Sequence, residues 1–219
     1  MNYDPLALLF VRVVPEDFLV NCRFARLGLK ATFGERVNDC WLAPDTISVM
    51  CPWCIVGYKH LEAAIKELNL QDKVEIEWQP FELNPDMPAE GEELRAHVAR
   101  KYGSSKADSD RARVNIAQAG AEYGFNFDYF DDMKIVNTFD AHVLLDYAHQ
   151  SGKQTALKMR LFSAFFTEHK DVSNREVLIK EAESVGISIQ ESESALADDE
   201  IRAIAEIIPL ETITNNETL

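Results

Sequence analysis

The stretch TISVMCPWCIVGYKHLEAAIKEL, residues 46–68, places two cysteines at the junction of two different hydrophobic patterns. Its first five residues, 46–50, are a short apolar and β-branched run, which is typical of a strand. After the second cysteine, apolar residues recur at steps of three, four and three, which is the period of an amphipathic helix. We therefore expect a strand at 46–50, a tight turn, and a helix over 52–68 with Cys51 at its N-terminus.

Two thiols in such a turn indicate a redox site. At a helix N-terminus, the unpaired backbone N–H groups and the helix dipole favour an anion, which lowers the pKa of Cys51 and activates it as a nucleophile. Cys54 lies about one helical turn further on, close enough to form a disulfide with Cys51. Pro52 suits the first helical position, where its missing N–H costs nothing, and Trp53 is expected to be exposed toward substrate. The motif CPWC, residues 51–54, therefore indicates dithiol–disulfide exchange.

Two other uses of paired cysteines fit the sequence less well. A structural zinc site needs four ligands, but Cys22 and Cys40 are single, with no second C-x-x-C and no H-x₃₋₅-H. Covalent haem attachment needs a histidine directly after the second cysteine, where Ile55 stands. We therefore expect neither a metal nor an organic cofactor.

The composition argues against several classes of partner. The 219 residues carry a net charge of −15, which opposes a phosphate-binding surface and makes nucleic acid a poor partner. No apolar run reaches the length that spans a membrane. Residues 6–14 are apolar, but Asp4 precedes them and Arg12 interrupts them, unlike a signal peptide. We therefore expect a cytoplasmic protein in which Cys22 and Cys40 are free thiols.

The pattern divides the chain into four segments. Residues 1–45 stay unassigned, apart from an edge strand at Leu8–Val14. Residues 46–85 form the first part of an α/β core. An all-helical insertion over 86–196 follows, and residues 197–219 return to the core.

Caps and turn residues mark the elements within these segments. An apolar–polar alternation over 74–79 predicts a second strand, so that residues 46–79 make a β-α-β unit. Asn137 is a good N-cap for the helix that follows it, and Gly103 and Gly152 end helices. The expected helices of the insertion and the C-terminal segment are 91–102, 108–123, 138–150, 153–168, 174–185 and 197–208.

Four separate stretches together resemble a known family. They are CPWCIVG at 51–57, WQPFELNP at 78–85, Asn137-Thr138 with Ala141-His142, and Leu161-Phe162 with Ala164-Phe165-Phe166. In order and spacing they resemble the cytosolic DsbA-type dithiol–disulfide oxidoreductases, the FrnE-like branch of the thioredoxin-fold superfamily. The resemblance covers residues from about 46 to 200.

This resemblance implies a thioredoxin-like α/β core interrupted by an all-helical insertion. It implies that Cys51 is the attacking thiol and Cys54 the resolving thiol, with protein or small-molecule thiols and disulfides as partners. It also implies that Asn137 and His142 line the face opposite the cysteines, toward substrate. From the residues alone, Asn137 is a helix cap and His142 a core histidine.

Both ends of the chain depart from the family pattern. About 45 residues precede the active-site strand, which in the family is normally close to the N-terminus. The family continues through a Gly-Val-Pro turn, whose cis-proline faces the cysteines, then a strand hairpin and a last helix, and residues 200–219 contain none of these. Pro209 follows Asp198 too closely to be the family proline. We therefore expect an incomplete sheet, whose exposed edge favours a homo-oligomer.

Three functions remain open on the sequence. The first is a thiol–disulfide oxidoreductase or isomerase that works through the CPWC dithiol. The second is a truncated remnant without catalysis, or a thiol redox sensor, which the missing Gly-Val-Pro segment favours. The third is a glutathione-dependent transferase or 2-hydroxychromene-2-carboxylate isomerase. Those enzymes carry a serine where Cys51 stands, so the cysteine pair argues against them.

Overall fold

The computed structural model describes residues 9–13, 31–33, 40–42, 48–72, 74–78, 84 and 86–206 of the chain. The strands in this part of the chain are β1 (Leu9–Val13), β2 (Ala31–Phe33), β3 (Cys40–Leu42), β4 (Val74–Glu77), β5 (Glu92–Glu93) and β6 (Lys134–Ile135). The helices are α1 (Pro52–Glu67), α2 (Leu94–Tyr102), α3 (Lys106–Glu122), α4 (Phe139–Gln150), α5 (Gln154–Phe166), α6 (Arg175–Ser184), α7 (Ile189–Ala197) and α8 (Asp199–Glu206). The expected α/β class with a helical insertion is confirmed.

The larger sheet has four strands in the order β2-β3-β1-β4, and all of its pairings are antiparallel. β1 is the strand expected at Leu8–Val14, but it lies between β3 and β4, so its expected place at an edge is wrong. Its register pairs Val11 with Ile76, far along the chain. A local pattern can predict a strand, but it cannot predict which distant strands will flank it. β5 and β6 form a separate antiparallel pair.

The strand expected at 46–50 is wrong for the residues that the structure describes. Residues 49–50 form a turn, and residues 46–47 lie outside the described part of the chain. The Cys51 N–H donates to the Ser48 carbonyl oxygen at 3.1 Å, and the Met50 N–H donates to Ser48 Oγ at 3.3 Å. A serine that bonds neighbouring backbone groups offers them an alternative to a sheet ladder. The expected β-α-β unit is therefore not formed by the described residues, in which β4 pairs with β1.

The end of the helical insertion contains a helix that the sequence pattern did not place. Ser188 and Glu191 form a reciprocal capping box, which begins α7. Asp198 then has extended backbone, and its Oδ1 accepts from two N–H groups in the first turn of α8. α8 therefore begins at Asp199, after a break at Asp198, because the Asp198 side chain caps its first turn. The sequence pattern predicted one helix over 197–208 and did not predict α7 before it.

Trp78, directly after β4, joins the sheet to the helical insertion. Its backbone N–H donates to Gln154 Oε1 at 2.8 Å, and its carbonyl oxygen accepts from Gln154 Nε2 at 2.7 Å. Its indole N–H donates to Thr155 Oγ1 at 2.8 Å. One side-chain amide thus makes the pair of hydrogen bonds that a residue on a neighbouring strand would make. The N-terminal turn of α5 is therefore fixed to the end of β4.

The core continues from Trp78 into the helices. The Trp78 ring meets the Phe162 ring edge-on, with 6.4 Å between centroids. Each leucine or phenylalanine side chain that is fully buried in this core contributes about 1.5–3 kcal/mol to the free energy of folding. The fully buried side chains include Ile55, Leu61, Leu144, Leu157, Leu161, Phe162 and Leu178.

No helix in the described part of the chain is long and apolar enough to cross a membrane.

Replacement by alanine is expected to change the free energy of unfolding in opposite directions at two helical glycines. A Cβ at Gly120, in α3, would lie 2.5 Å from Phe127 Cε2 and 2.9 Å from the Phe125 carbonyl oxygen. Overpacking of that kind costs about 1–3 kcal/mol, more than the roughly 1 kcal/mol that alanine gains over glycine in a helix. Gly57, in α1, has nothing within 4 Å of the added Cβ. Urea unfolding should therefore show Gly120→Ala destabilised and Gly57→Ala stabilised; shifts of the same sign would contradict the packing of α3 on Phe127.

Candidate active site

The two cysteines lie at the N-terminus of α1, as the sequence indicates. Cys51 is the N-cap residue, with extended backbone (φ −90°, ψ 110°), and Pro52 occupies the first turn. The Cys54 N–H donates to the Cys51 carbonyl oxygen at 3.2 Å. Cys51 is half-buried, Cys54 is buried, and the two thiols are not joined in a disulfide. One sulfur is therefore open to a reaction partner while the other is enclosed.

The pKa of Cys51 is lowered from the ordinary value for a cysteine. The largest cause is the hydrogen bond from the Cys54 thiol, which stabilises a thiolate at Cys51. Burial opposes this effect, whereas the backbone N–H groups of Cys54 and Trp53 and the positive charge of Lys158 reinforce it. The N-terminus of α1 thus contributes through its free N–H groups, but the neighbouring thiol contributes more.

The pKa of Cys54 moves in the opposite direction. Burial raises it well above the ordinary value, and the hydrogen bond to Cys51 and the charge of Cys51 raise it further. The charge of Lys158 lowers it without reversing the shift. When the pair holds a single proton, that proton therefore resides on Cys54, and the negative charge resides on the more open sulfur.

Lys158 is the third ionisable group of this site. It comes from α5, and its side chain is 1% exposed. Its Nζ lies 5.6 Å from the ring centroid of Trp78 and 5.3 Å from that of Phe162, within the range of a cation–π contact. Burial lowers its pKa to about 7, against the charges of Cys54 and Cys51, which raise it. The amine is therefore poised to gain or lose a proton near neutral pH.

An aromatic group from the loop before β6 also approaches the dithiol. Burial raises the pKa of the Tyr129 hydroxyl, and the nearby charge of Cys51 raises it further, whereas Arg113 lowers it. The Arg113 guanidinium lies over the Tyr129 ring, with 5.3 Å from Cζ to the centroid. The Tyr129 ring stacks on Phe127 with 6.0 Å between centroids. The surroundings of Cys51 thus combine basic and aromatic side chains.

The region that contains this dithiol matches the model of a known protein family. The model of the family described as the DSBA-like thioredoxin domain matches residues 47–206. That range covers more than half of the chain and contains the dithiol, Lys158 and all the described helices. The chain belongs to the DsbA-like thioredoxin domain family. The thioredoxin-like fold expected from the resemblance is therefore confirmed, and β1, β2 and β3 precede the matched range.

One protein sequence and two crystal structures are similar to this chain. YwbO from Bacillus subtilis (strain 168), an uncharacterized protein, is 27% identical over 147 residues, which are 67% of this chain and 67% of YwbO. The crystal structure of a probable DsbA oxidoreductase from Streptomyces coelicolor is 29% identical, with a TM-score of 0.64, over 71% of this chain and 69% of that one. A candidate protein disulfide isomerase from Nitrosomonas europaea is 12% identical, with a TM-score of 0.51, over 78% of this chain and 76% of that one, and supports the fold alone.

Asn137 lies close to the segment that leads into the DsbA-like dithiol. Its Oδ1 accepts from the Phe139 N–H at 2.9 Å, but the N-cap of α4 is Thr138, one residue after the predicted position. The residue before Asn137, Val136, places its backbone N–H 3.4 Å from Met50 Sδ. Since Met50 directly precedes Cys51, Asn137 lies near the active-site turn. Its role toward substrate stays a prediction.

Trp53 and His142, the other residues predicted to face substrate, differ in their exposure to solvent. Trp53, inside the motif, is 37% exposed beside Cys51, as an apolar contact for substrate requires. His142 is 1% exposed in the first turn of α4, so a substrate would reach it only after a rearrangement. That His142 faces substrate stays a prediction. Pro209 lies outside the described residues.

The sequence pattern did not single out Lys158. The residue stands within the apolar spacing of α5, where Leu161, Phe162 and Phe165 follow it at steps of three, four and seven. A lysine at such a position usually extends its charged end to solvent. The signal that could have identified it is the combination of a lysine on a strongly apolar helix face with a reactive dithiol elsewhere in the chain.

Proposed function

We propose that this DsbA-like protein is a protein dithiol–disulfide oxidoreductase that works through the CPWC motif at residues 51–54. The observation that carries the proposal is the opposite displacement of two pKa values within one pair. Cys51 is half-buried with a lowered pKa, while Cys54 is buried with a raised pKa. A nucleophilic thiolate beside a protonated second thiol is the arrangement that thiol–disulfide exchange requires.

In the reducing direction, the Cys51 thiolate attacks one sulfur of a substrate disulfide. A bond forms between Cys51 Sγ and that sulfur, the substrate S–S bond breaks, and the departing thiolate takes a proton from water. Cys54 then loses its proton and attacks Cys51 Sγ, so that the second substrate thiolate leaves and is protonated. One substrate disulfide becomes two thiols while the protein dithiol becomes a disulfide. The reverse sequence oxidises a substrate dithiol.

The proposed partners are thiols and disulfides of proteins or small molecules. Trp53 is exposed beside Cys51, and an indole presents a large apolar contact surface with a polar edge. The chemistry of the site thus suits a disulfide carried on an apolar segment. The similarity of the chain to a probable DsbA oxidoreductase supports the same reaction class. Assignment to the FrnE-like branch is part of this proposal and rests on the four stretches of residues 51–57, 78–85, 137–142 and 161–166.

The selectivity of alkylation tests the proposed division of roles. Iodoacetamide should label Cys51 first, with a pH midpoint below the ~8.5 of an ordinary thiol, because the Cys54 thiol stabilises the Cys51 thiolate. Replacing Cys54 by alanine should raise that midpoint, since it removes the hydrogen bond that stabilises the Cys51 thiolate. Peptide mapping by mass spectrometry identifies the labelled residue. Faster labelling of Cys22 or Cys40, or an unchanged midpoint in Cys54→Ala, would contradict the proposed roles.

A further inference from the structure

Met50, the residue directly before Cys51, makes a contact that the exchange chemistry does not use. Its side chain is buried, and its Sδ accepts a hydrogen bond from the backbone N–H of Val136 at 3.4 Å. Val136 is buried as well. A thioether sulfur is a weak acceptor, but a buried backbone N–H that finds no acceptor costs free energy. The need to satisfy this donor therefore holds the Met50 side chain against Val136.

The turn that carries Cys51 is held locally by bonds to a single residue. The Cys51 N–H donates to the Ser48 carbonyl oxygen, and the Met50 N–H donates to Ser48 Oγ. Cys51 is the N-cap of α1, but within the described part of the chain its side chain makes no capping hydrogen bond. These local bonds shape the turn without joining it to another element. The contact of Met50 with Val136 joins segments 86 residues apart, so it can set where the turn lies.

Val136 belongs to a closely packed part of the helical insertion. It directly follows β6, which pairs with β5, and the Leu94 N–H donates to the Met133 carbonyl oxygen at 2.8 Å. A Cβ on Gly91, which has φ 70°, would lie 2.6 Å from the Ile135 carbonyl oxygen and 3.2 Å from Val136 Cγ1. The backbone at Val136 therefore has little room to move toward β5, and its N–H is a donor on a firm support.

We propose that Met50 is a positioning residue, and that its hydrogen bond from Val136 sets the position of Cys51 at the N-terminus of α1. The Cys51 thiolate is stabilised by the Cys54 thiol and by the backbone N–H groups of Trp53 and Cys54. Hydrogen bonds weaken steeply as their angle departs from linear, so a displaced turn loses part of that stabilisation. This inference rests on the proposed exchange function and gives its nucleophile a support from the helical insertion.

Two variants remove the hydrogen bond from opposite sides. Met50→Leu keeps an apolar side chain of similar volume but has no sulfur to accept the bond. Replacing the amide of Val136 by an ester, through incorporation of the α-hydroxy acid that corresponds to valine, removes the N–H and keeps the side chain. Met133→Leu is the matched control, because Met133 is buried in the same segment and its sulfur accepts no hydrogen bond from the described residues.

The readout is the pH dependence of iodoacetamide labelling of the reduced full-length protein, with the labelled cysteine identified by peptide mapping. The titratable groups that interact with Cys51 include Cys54, Lys158 and Tyr129. None of them is replaced in these variants, so a shifted profile reports a change in the position of Cys51. A loss of packing alone would lower the melting temperature without moving this profile.

We expect Met50→Leu to raise the pH midpoint of Cys51 labelling. Below that midpoint its labelling rate should fall by roughly fivefold, the lower end of the penalty for a buried donor left without an acceptor. The ester at Val136 should shift the midpoint in the same direction, because it removes the same bond. Met133→Leu should keep the midpoint of the unchanged protein, even where its melting temperature falls.

An unchanged midpoint in Met50→Leu or in the ester variant would overturn the proposal, since the contact would then act through shape alone. An equal shift in Met133→Leu would also overturn it, by assigning the effect to a general loosening of the core. If Met50→Leu does not fold, the ester variant decides alone. Failure of the proposed function has a different signature: the unchanged protein would reduce no insulin disulfides, while the labelling profiles would still decide the role of Met50.

Discussion

Replacement of Cys51 by serine is expected to lower the rate of disulfide exchange by at least about a thousandfold, since a serine hydroxyl does not ionise near neutral pH and the nucleophile is lost. Replacement of Cys54 by serine should leave the attack intact but remove the resolving thiol. Mixed disulfides with substrate should then accumulate on Cys51. Reduction of insulin disulfides by dithiothreitol, followed by turbidity, measures the rate. Non-reducing electrophoresis and mass spectrometry measure the trapped species.

Cys22→Ser is the matched control, because it makes the same chemical change outside the motif. It should retain the exchange rate and should trap no substrate on Cys51. Exchange at an unchanged rate in Cys51→Ser would refute the proposed function. Trapped species on Cys22 or Cys40, rather than on Cys51, would show that another thiol is the nucleophile.

Glu181→Ala is expected to give the largest loss of stability, about 3 kcal/mol, because it removes the enclosed carboxylate of an ion-pair network and leaves Arg160 and Lys170 with Glu168 as their shared acceptor. Glu181 is 3% exposed. Its Oε1 accepts from Lys170 Nζ at 2.6 Å, and its Oε2 accepts from Arg160 Nε. For a chain of this length, the loss corresponds to a fall of roughly 6–12 °C in the melting temperature. Circular dichroism on heating measures it.

Glu183→Ala provides the control for this change. It removes the same charge from the same helix, but at an exposed position, where substitutions usually change stability by less than about 0.5 kcal/mol. Arg160 keeps its pairing with Glu168 in both variants, so the cost of Glu181→Ala is expected at the lower end of the range for buried pairs. Equal melting temperatures for the two variants would show that the buried pair contributes no more than a surface charge.

The helices could be predicted from the sequence because their signals are local. Gly103 ends α2 in the left-handed conformation (φ 66°) that glycine adopts without strain, and Asn174 caps α6 through two backbone N–H groups. The capping box of Ser188 and Glu191 was an equally local signal for α7, but the apolar period there is short. The strand pairing was not predictable, since the partners of β1 are set by contacts between segments far apart in the chain.

The candidate site shows the same division. The motif and its position at a helix N-terminus were visible in the sequence, and so was the lowered pKa of Cys51. The leading cause was not: the thiol of Cys54 contributes more than the helix N-terminus does. Lys158 was missed because it comes from a helix of the insertion, more than a hundred residues after Cys51. Its proximity to the sulfurs is a property of packing, which a linear pattern does not contain.

The attachment of Gln154 to Trp78 has a consequence for how the redox properties of this protein can change. Gln154 and Lys158 are four residues apart on α5, so they lie on the same face of one helix. A local opening that released the amide from Trp78 would also withdraw the amine from the sulfurs, and the reduced form would lose part of its stabilisation. The reduction potential of the dithiol is therefore linked to the strength of the buried contact between Gln154 and Trp78. Substitutions of Gln154 or Trp78 could therefore shift the reduction potential, and with it the preference for oxidising or reducing substrates, while residues 51–54 stay the same.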